Sequence, residues 1–198
     1  IGDNTRIDSN VTIHDNCKIG DHTHIKSGNF INKLTQIGSH VMIGPNNSIG
    51  IEGFGFYRED KVWHRISHPY GVIIEDYVEI GANNCVSRGC LGPTHIKSNS
   101  KIDTLNHIAH NCIIGHDTAI ASGNIFGGST EIGDHCLISG SVTISDHIII
   151  GDHCTILGKS GVTKNIPSHS VVSGYPAQPH KDELKFQAKL RNCLLYTS

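Results

Sequence analysis

The sequence predicts an all-β protein, a parallel β-helix of hexapeptide repeats, on three observations. An aliphatic or aromatic residue opens every sixth position from Ile96 to Val162 without a gap, and the same spacing runs from Ile1 to Ile49. Four places after most openers stands a small or β-branched residue, which suits the tight interior of a triangular coil. Asn, Asp, Gly and His cluster two and three places after the openers, where corners require turn or left-handed backbone angles. A period of six fits neither an amphipathic helix nor a simple alternating strand.

Taken in order, the repeats form one domain over residues 1–180. Residues 1–50 are predicted to make roughly three coils, each of three strands and three corners. Residues 51–73 interrupt the repeat, and we expect them to leave the solenoid from a corner as a functional loop. The repeat resumes at Ile74 and ends after Val162.

The loop insertion holds the single tryptophan and two of the five phenylalanines, as Trp63, Phe54 and Phe56. Aromatic side chains on an exposed loop can stack on a base, a sugar or an acyl chain, so we predict that these three bind substrate. The alternative is that they pin the loop to its own coil or to a neighbouring subunit.

Residues 181–193 are predicted to form a short amphipathic helix that caps the last coil, because an open solenoid end exposes unpaired strand edges. Residues 194–198 break the preceding pattern, and we expect a cloning scar or a disordered tail there. The chain opens with Ile1 already in the repeat and shows no signal peptide, so we expect that its natural start is missing.

Composition excludes several classes of function. A net charge of −2 gives no electrostatic case for a nucleic-acid or membrane-surface partner. No apolar run approaches the ~20 residues of a transmembrane helix. Four of the seven cysteines, Cys17, Cys112, Cys136 and Cys154, occupy the small inward slot, and no CxxC pair is present. The pattern indicates reduced, buried thiols and a cytoplasmic protein.

Five stretches resemble one family of enzymes: GFGFYREDKVWHRI, VEIGANNCVSRG, DTLNHIAHNCIIGHDTAIA, GGSTEIGDHCLISGSVTISDH and SGYPAQPHKD. Over residues 1–192 the chain is similar to the UDP-3-O-acylglucosamine N-acyltransferases of lipid A synthesis. The resemblance implies a left-handed β-helix, a homotrimer with active sites between subunits, and a nucleotide-linked amino sugar as acceptor. It also implies an acyl thioester donor, on the phosphopantetheine of acyl carrier protein or on coenzyme A, with no permanently bound cofactor. No stretch corresponds to the family's N-terminal uridine-binding domain.

The resemblance also implies catalytic residues. N-acyl transfer needs a base for the proton that the attacking amine loses, and donors for the oxyanion that develops on the thioester carbonyl. His110 in IAHN stands at the family's catalytic histidine and is predicted to be the base. Asp103 matches the carboxylate that orients the base, and Gly128 matches the backbone N–H that holds the oxyanion.

Other positions match the family's binding residues. His147 corresponds to a second histidine that contacts the donor or acceptor, and Lys164, Tyr175 and Gln178 lie where the phosphopantetheine arm would leave the coil. Gly161 stands where the family has methionines that floor the acyl pocket. The smaller floor leaves the acyl length open, from a hydroxymyristoyl group down to acetyl.

Three alternatives remain at the level of sequence. The first is an acetyl-CoA-dependent N-acetyltransferase of a dTDP- or UDP-amino sugar in surface polysaccharide synthesis. The second is a zinc lyase like the γ-type carbonic anhydrases, since His107 and His110 form an HxxH pair; without a third ligand at suitable spacing, we predict no metal. The third is a catalytically silent solenoid used for assembly.

Overall fold

The hexapeptides fold as very short strands joined by corners, and three of them complete one turn. The structure, a computed structural model, describes residues 1–193 and forms a β-solenoid of about 9 turns. In chain order the strands are β1 (Arg6–Ile7), β2 (Thr12–Ile13), β3 (Lys18–Ile19), β4 (His24–Ile25), β5 (Phe30–Ile31), β6 (Gln36–Ile37), β7 (Met42–Ile43), β8 (Ser48–Ile51), β9 (Phe56–Glu59), β10 (Val62–Arg65), β11 (Val72–Ile74), β12 (Glu79–Ile80), β13 (Cys85–Ser87), β14 (Thr94–Ile96), β15 (Lys101–Ile102), β16 (His107–Ile108), β17 (Ile113–Ile114), β18 (Ala119–Ile120), β19 (Ile125–Phe126), β20 (Glu131–Ile132), β21 (Leu137–Ile138), β22 (Thr143–Ile144), β23 (Ile149–Ile150), β24 (Thr155–Ile156), β25 (Gly161–Val162), β26 (Val171–Ser173) and β27 (Gln178–Pro179). One helix, α1 (His180–Cys193), follows them.

Three parallel sheets make the faces of the solenoid. Sheet A contains β1, β4, β7, β12, β15, β18, β21, β24 and β26, with β27 antiparallel at its end. Sheet B contains β2, β5, β8, β13, β16, β19, β22 and β25, and sheet C contains β3, β6, β11, β14, β17, β20 and β23. The predicted all-β hexapeptide solenoid is confirmed.

The repeat openers fill the core as stacked apolar ladders. Ile108 pairs with Phe126 on neighbouring turns, and both are fully buried. Burial of these ladders removes about 25 cal/mol of unfavourable hydration for each Å² of apolar surface. Ile1 and Ile7, the openers at the start of the solenoid, are the exceptions and are exposed.

A ladder of buried asparagines runs along the corner between sheets A and B. The backbone N–H of each residue donates to the side-chain Oδ1 one turn below, from Asn47 to Asn29 (3.0 Å) and from Asn84 to Asn47 (2.7 Å). The series continues through Asn106 and Asn124 to the backbone N–H of Val142. The small-residue slot was predicted, but its amide ladder was not.

Replacement of Asn84 by valine is expected to lower the free energy of unfolding by about 1–3 kcal/mol, because the buried N–H of Asn106 loses its acceptor. Val142 occupies the same slot, so the side chain itself fits. Urea denaturation measures the loss, with the exposed Glu131→Gln as control. Equal midpoints for the two variants would contradict the structural role of the ladder.

The corners adopt the left-handed backbone conformation that the Asn, Asp and His residues of the repeat predicted. Residues three places after an opener, such as Asn10, His22 and His135, have φ between 55 and 58°. Along the corner between sheets C and A, the rings of His22, His40 and Tyr77 stack on successive turns at 4.9 Å. The polar corner pattern is therefore explained by the backbone angles that the corners require.

The insertion is more ordered than the predicted loop over residues 51–73. Strand β8 extends to Ile51, and β9 and β10 form an antiparallel hairpin that projects from the solenoid. The hairpin pairs Phe56 with Arg65 and Trp63 with Arg58.

The helix begins at His180, one residue before the predicted 181, and lies against β26 and β27. Its apolar side chains Leu184, Phe186 and Leu190 remain about half exposed, so within this chain it covers the last turn only in part. The expectation for residues 194–198 lies outside the described residues. Over residues 1–193, no helix has the length and apolar character that crossing a membrane requires.

Candidate active site

Two of the three predicted catalytic residues, together with the predicted binding residue His147, lie on one edge of the prism, the corner between sheets B and C. His110 follows β16, Gly128 follows β19, and His147 follows β22, so they occupy three consecutive turns. Backbone bonds fix this register: the N–H of Ser129 donates to the carbonyl of His110 at 2.9 Å, and the N–H of His147 to that of Gly128 at 2.9 Å. The 18-residue turn thus brings together three residues that are far apart in sequence.

A pocket of about 330 Å³ opens at this edge, between the solenoid and the start of the insertion. Its lining includes two carboxylates, Glu52 and Asp146, and three imidazoles. The lining residues used below are Glu52, Phe54, His107, His110, Gly128 and His147.

The imidazole of His110 is oriented by its neighbour Asn111, at a distance of 3.1 Å from Nδ1 to Oδ1. The Asn111 amide is itself fixed, because Oδ1 accepts from the N–H of Cys90 and Nδ2 donates to the carbonyl of Gly92. Since Oδ1 is an acceptor, Nδ1 of His110 carries the proton and Nε2 has the free lone pair. This tautomer presents Nε2 as a base.

Gly128 is required by the position of that ring. A Cβ at residue 128 would lie 2.6 Å from Cε1 and 2.7 Å from Nε2 of His110, so any side chain there would displace the imidazole. Within residues 1–193, the amide N–H of Gly128 donates to no other group. The glycine therefore combines an available donor with the space for the base.

His68 packs behind His110, with ring centroids 5.1 Å apart. His68 is buried, and the chain passes close to both histidines at Gly53, where an added Cβ would lie 2.5 Å from Nε2 of His68 and 2.9 Å from the Cβ of His110. Burial, followed by the nearby charge of His110, lowers the pKa of His68. Burial also lowers the pKa of His107. Burial therefore favours the neutral form of both imidazoles.

We expect the stability of the protein to fall as the pH decreases through about 6.5, the usual pKa of histidine. The pKa of His68 is lowered in the folded state, so the unfolded chain binds more protons in that range. Urea midpoints at pH 7.5 and 5.5 measure the effect, and His68→Gln should decrease the pH dependence relative to the exposed His14→Gln. Identical pH slopes for the two variants would exclude this linkage.

Asp103 does not reach His110 within one chain. It follows β15 at the corner between sheets A and B, and β16 separates it from the corner that holds His110. It lies at a groove of about 600 Å³ on sheet A, together with Ala119, Ile120 and Leu137. The partner of Nδ1 in this chain is Asn111, which the sequence interpretation did not assign although it directly follows the predicted base.

A second cavity, of about 720 Å³, contains the predicted donor residues Lys164, Tyr175 and Gln178. Lys164 follows β25, which pairs in register with β22 on the same sheet. It therefore lies on the same edge as His110. Gln178 donates to Glu183 of α1 at 2.7 Å. Gly161 packs directly beneath the ring of Tyr175, which fills the space that a side chain would take.

The aromatic residues of the insertion separate into two groups. Phe54 lines the pocket beside His110 and contacts Phe56 edge to face at 5.1 Å. Trp63 lies on the projecting hairpin, with the Arg58 guanidinium 5.7 Å from its ring centre, and does not line the pocket. The structure thus places Phe54 at the candidate site and Trp63 away from it.

His107 and His110, the HxxH pair considered for zinc, both line the pocket. In the part of the chain that the structure describes, no three His, Cys, Asp or Glu side chains group as metal ligands would. The six cysteines described there are free thiols.

Comparison with known proteins identifies relatives. Residues 1–33 match the family described as bacterial transferase hexapeptide (six repeats). The chain is 37% identical over 154 residues to the UDP-3-O-acylglucosamine N-acyltransferase of Wolinella succinogenes, covering 77% of this chain and 48% of that protein. It is 46% identical over 144 residues to the enzyme of the same name from Syntrophotalea carbinolica, covering 73% and 42%.

Among solved structures, the fold is similar to that of a UDP-N-acetylglucosamine acyltransferase from Campylobacter jejuni. The TM-score is 0.81 at 25% identity, over 90% of this chain and 68% of that chain. The resemblance that the motifs predicted is confirmed. The chain spans about half the length of the curated relatives it matches.

Proposed function

We propose that this chain is an N-acyltransferase that moves an acyl group from a thioester to the amino group of a UDP-linked amino sugar. The observation that carries the proposal is the orientation of His110, which lines an open pocket and has Nε2 close to Gly128, whose N–H donates to no group in residues 1–193. The names of the relatives support both the acyltransferase class and the UDP-sugar substrate.

The proposed reaction follows from this geometry. The amine nitrogen attacks the thioester carbonyl carbon and a C–N bond forms. Nε2 of His110 takes the proton that the nitrogen loses, and the N–H of Gly128 binds the oxyanion. When the tetrahedral intermediate collapses, the C–S bond breaks, and the proton on His110 passes to the leaving thiolate. His147, on the next turn, borders the same pocket and is positioned to contact either substrate.

The donor is proposed to lie along the edge between sheets B and C. Neighbouring turns are ~4.8 Å apart, so the three turns from His110 to Lys164 span about 14 Å. Lys164, Tyr175 and Gln178 would hold the phosphopantetheine arm of acyl carrier protein or coenzyme A at the far end of this path. No cofactor other than this donor is required.

A homotrimer would complete the site. The groove on sheet A combines small and apolar residues with Asp103, and both Met42 and Leu137 there are partly exposed. We propose that a second subunit packs against this groove and that Asp103 acts in a site between subunits, where it supports the imidazolium that forms during transfer.

The proposal is tested by supplying the purified protein with UDP-3-O-acylglucosamine and either 3-hydroxyacyl carrier protein or acetyl-CoA. Formation of an N-acylated sugar supports it, and the preferred donor fixes the acyl class. Preference for acetyl-CoA would identify the alternative, an N-acetyltransferase. The Tyr175 ring over Gly161 favours this alternative, because it fills the space where the acyl chain would lie. No thioester-dependent acylation of any amino sugar would reject the enzymatic function.

A further inference from the structure

Two basic groups lie buried behind the pocket, and neither has a complete set of partners. Arg88 is fully buried and donates from Nε to the carbonyl of Tyr70 (3.1 Å) and from Nη2 to that of Pro69 (3.2 Å). Its Nη1 and the Nδ1 of buried His68 form no hydrogen bond with the described residues. A buried guanidinium is costly unless a counter-charge lies close to it.

Both unpaired nitrogens face the carboxylate of Glu52. Oε2 lies 3.6 Å from Nδ1 of His68, and Oε1 lies 3.9 Å from Nη1 of Arg88. These distances are too long for hydrogen bonds, although the Arg88 guanidinium and the Glu52 carboxylate still attract each other. Within residues 1–193 no group donates a hydrogen bond to Glu52, so its oxygens remain free to accept from a ligand.

Glu52 therefore has one side towards buried positive charge and the other towards the pocket. Its side chain keeps 46% of its surface exposed and lines the pocket with His110 and Gly128. Arg88 alone clamps the two ends of the insertion, since its backbone N–H donates to the carbonyl of Ile51 at 2.8 Å and its side chain donates to residues 69 and 70. That clamp does not require a half-exposed carboxylate beside the base.

We propose that Glu52 binds the amino group of the acceptor sugar and holds it next to Nε2 of His110, an inference that rests on the proposed function. A carboxylate accepts hydrogen bonds from the N–H groups of the neutral amine that attacks, and a charge-assisted bond of this kind is among the stronger ones in proteins. The amine has two N–H groups, and the amide product keeps only one of them. The same carboxylate therefore favours the substrate over the product.

Calorimetry with UDP-3-O-acylglucosamine and its N-acetylated counterpart tests this role. The wild-type protein is expected to bind the free amine about 10-fold more tightly than the amide, which is the scale of a hydrogen bond to a charged group. Glu52→Gln should abolish the preference, and the exposed Glu131→Gln should retain it. In turnover, Glu52→Gln should raise KM for the sugar and leave KM for the thioester unchanged.

Because Glu52→Gln leaves Arg88 without a counter-charge, the double variant Glu52→Gln/Arg88→Met is measured as well, and the same loss of preference is expected. If either folded variant still prefers the amine, Glu52 is only part of the clamp and the inference is overturned. If the wild-type protein binds neither sugar, the proposed function itself is rejected, and this inference with it.

Discussion

Replacement of His110 by alanine is expected to lower kcat for acyl transfer by at least about 10²-fold, the scale of general base catalysis. The reason is geometric: Asn111 fixes the proton on Nδ1, so Nε2 is the base that the pocket presents. Alanine removes the base without disturbing the stacked isoleucine ladders, since His110 lies at a corner outside the core. The melting temperature should therefore change little.

Single-turnover assays of acyl transfer measure the loss, and His116→Ala is the matched control. His116 is also a corner histidine, but it lies at the corner between sheets C and A and bonds to Ser98. It should keep wild-type turnover. Unchanged turnover of His110→Ala would exclude the proposed mechanism, even if the protein catalyses acyl transfer.

The sequence alone was sufficient for the solenoid because its period is imposed directly by packing. Where the repeat is uninterrupted, an opener such as Ile102 stacks on the opener 18 residues away, Ile120, so the repeat in the sequence and the repeat in the structure are the same. Left-handed corner angles select Asn, Asp and His for the same direct reason. The helix at His180 also followed from local composition.

Less of the candidate site could be predicted from the sequence, because its contacts do not repeat. His110 and Gly128 could be paired from the turn length, but the hydrogen bond from His110 to Asn111 depends on the irregular segment that carries Cys90 and Gly92. The approach of His68 depends on how the insertion returns to the solenoid. The periodic pattern contains no information about such interruptions, and the role of Glu52 could not be derived from it.

Asp103 illustrates the same limit for assembly. In the sequence it lies one hexapeptide and one residue before His110. Within one chain, however, strand β16 lies between the corner that holds Asp103 and the corner that holds His110. A contact between subunits leaves no periodic signal in one sequence. The oligomer and the part that Asp103 plays in it therefore remain proposals.

Replacement of Gly128 by alanine is expected to lower kcat by about 10²–10³-fold, the range for loss of an oxyanion donor or of a positioned base. The new Cβ would lie 2.6 Å from Cε1 of His110, and the ring cannot easily move away, since His68 packs behind it. The control is Gly158→Ala, where the nearest atom to an added Cβ is the Gly140 carbonyl oxygen at 3.3 Å. Turnover of the control should be close to that of the wild-type protein.

A double-mutant cycle with His110→Ala then separates the two possible effects of the added methyl group. If Gly128→Ala acts by displacing the imidazole, it should cost almost nothing once that ring is absent, and the two losses will not add. If it acts by moving the backbone N–H away from the oxyanion, the same factor should be lost in both backgrounds. Since the amide is retained in alanine and the steric overlap is with the ring, we expect strong non-additivity. Fully additive losses would show that the contact between Gly128 and His110 does not position the base.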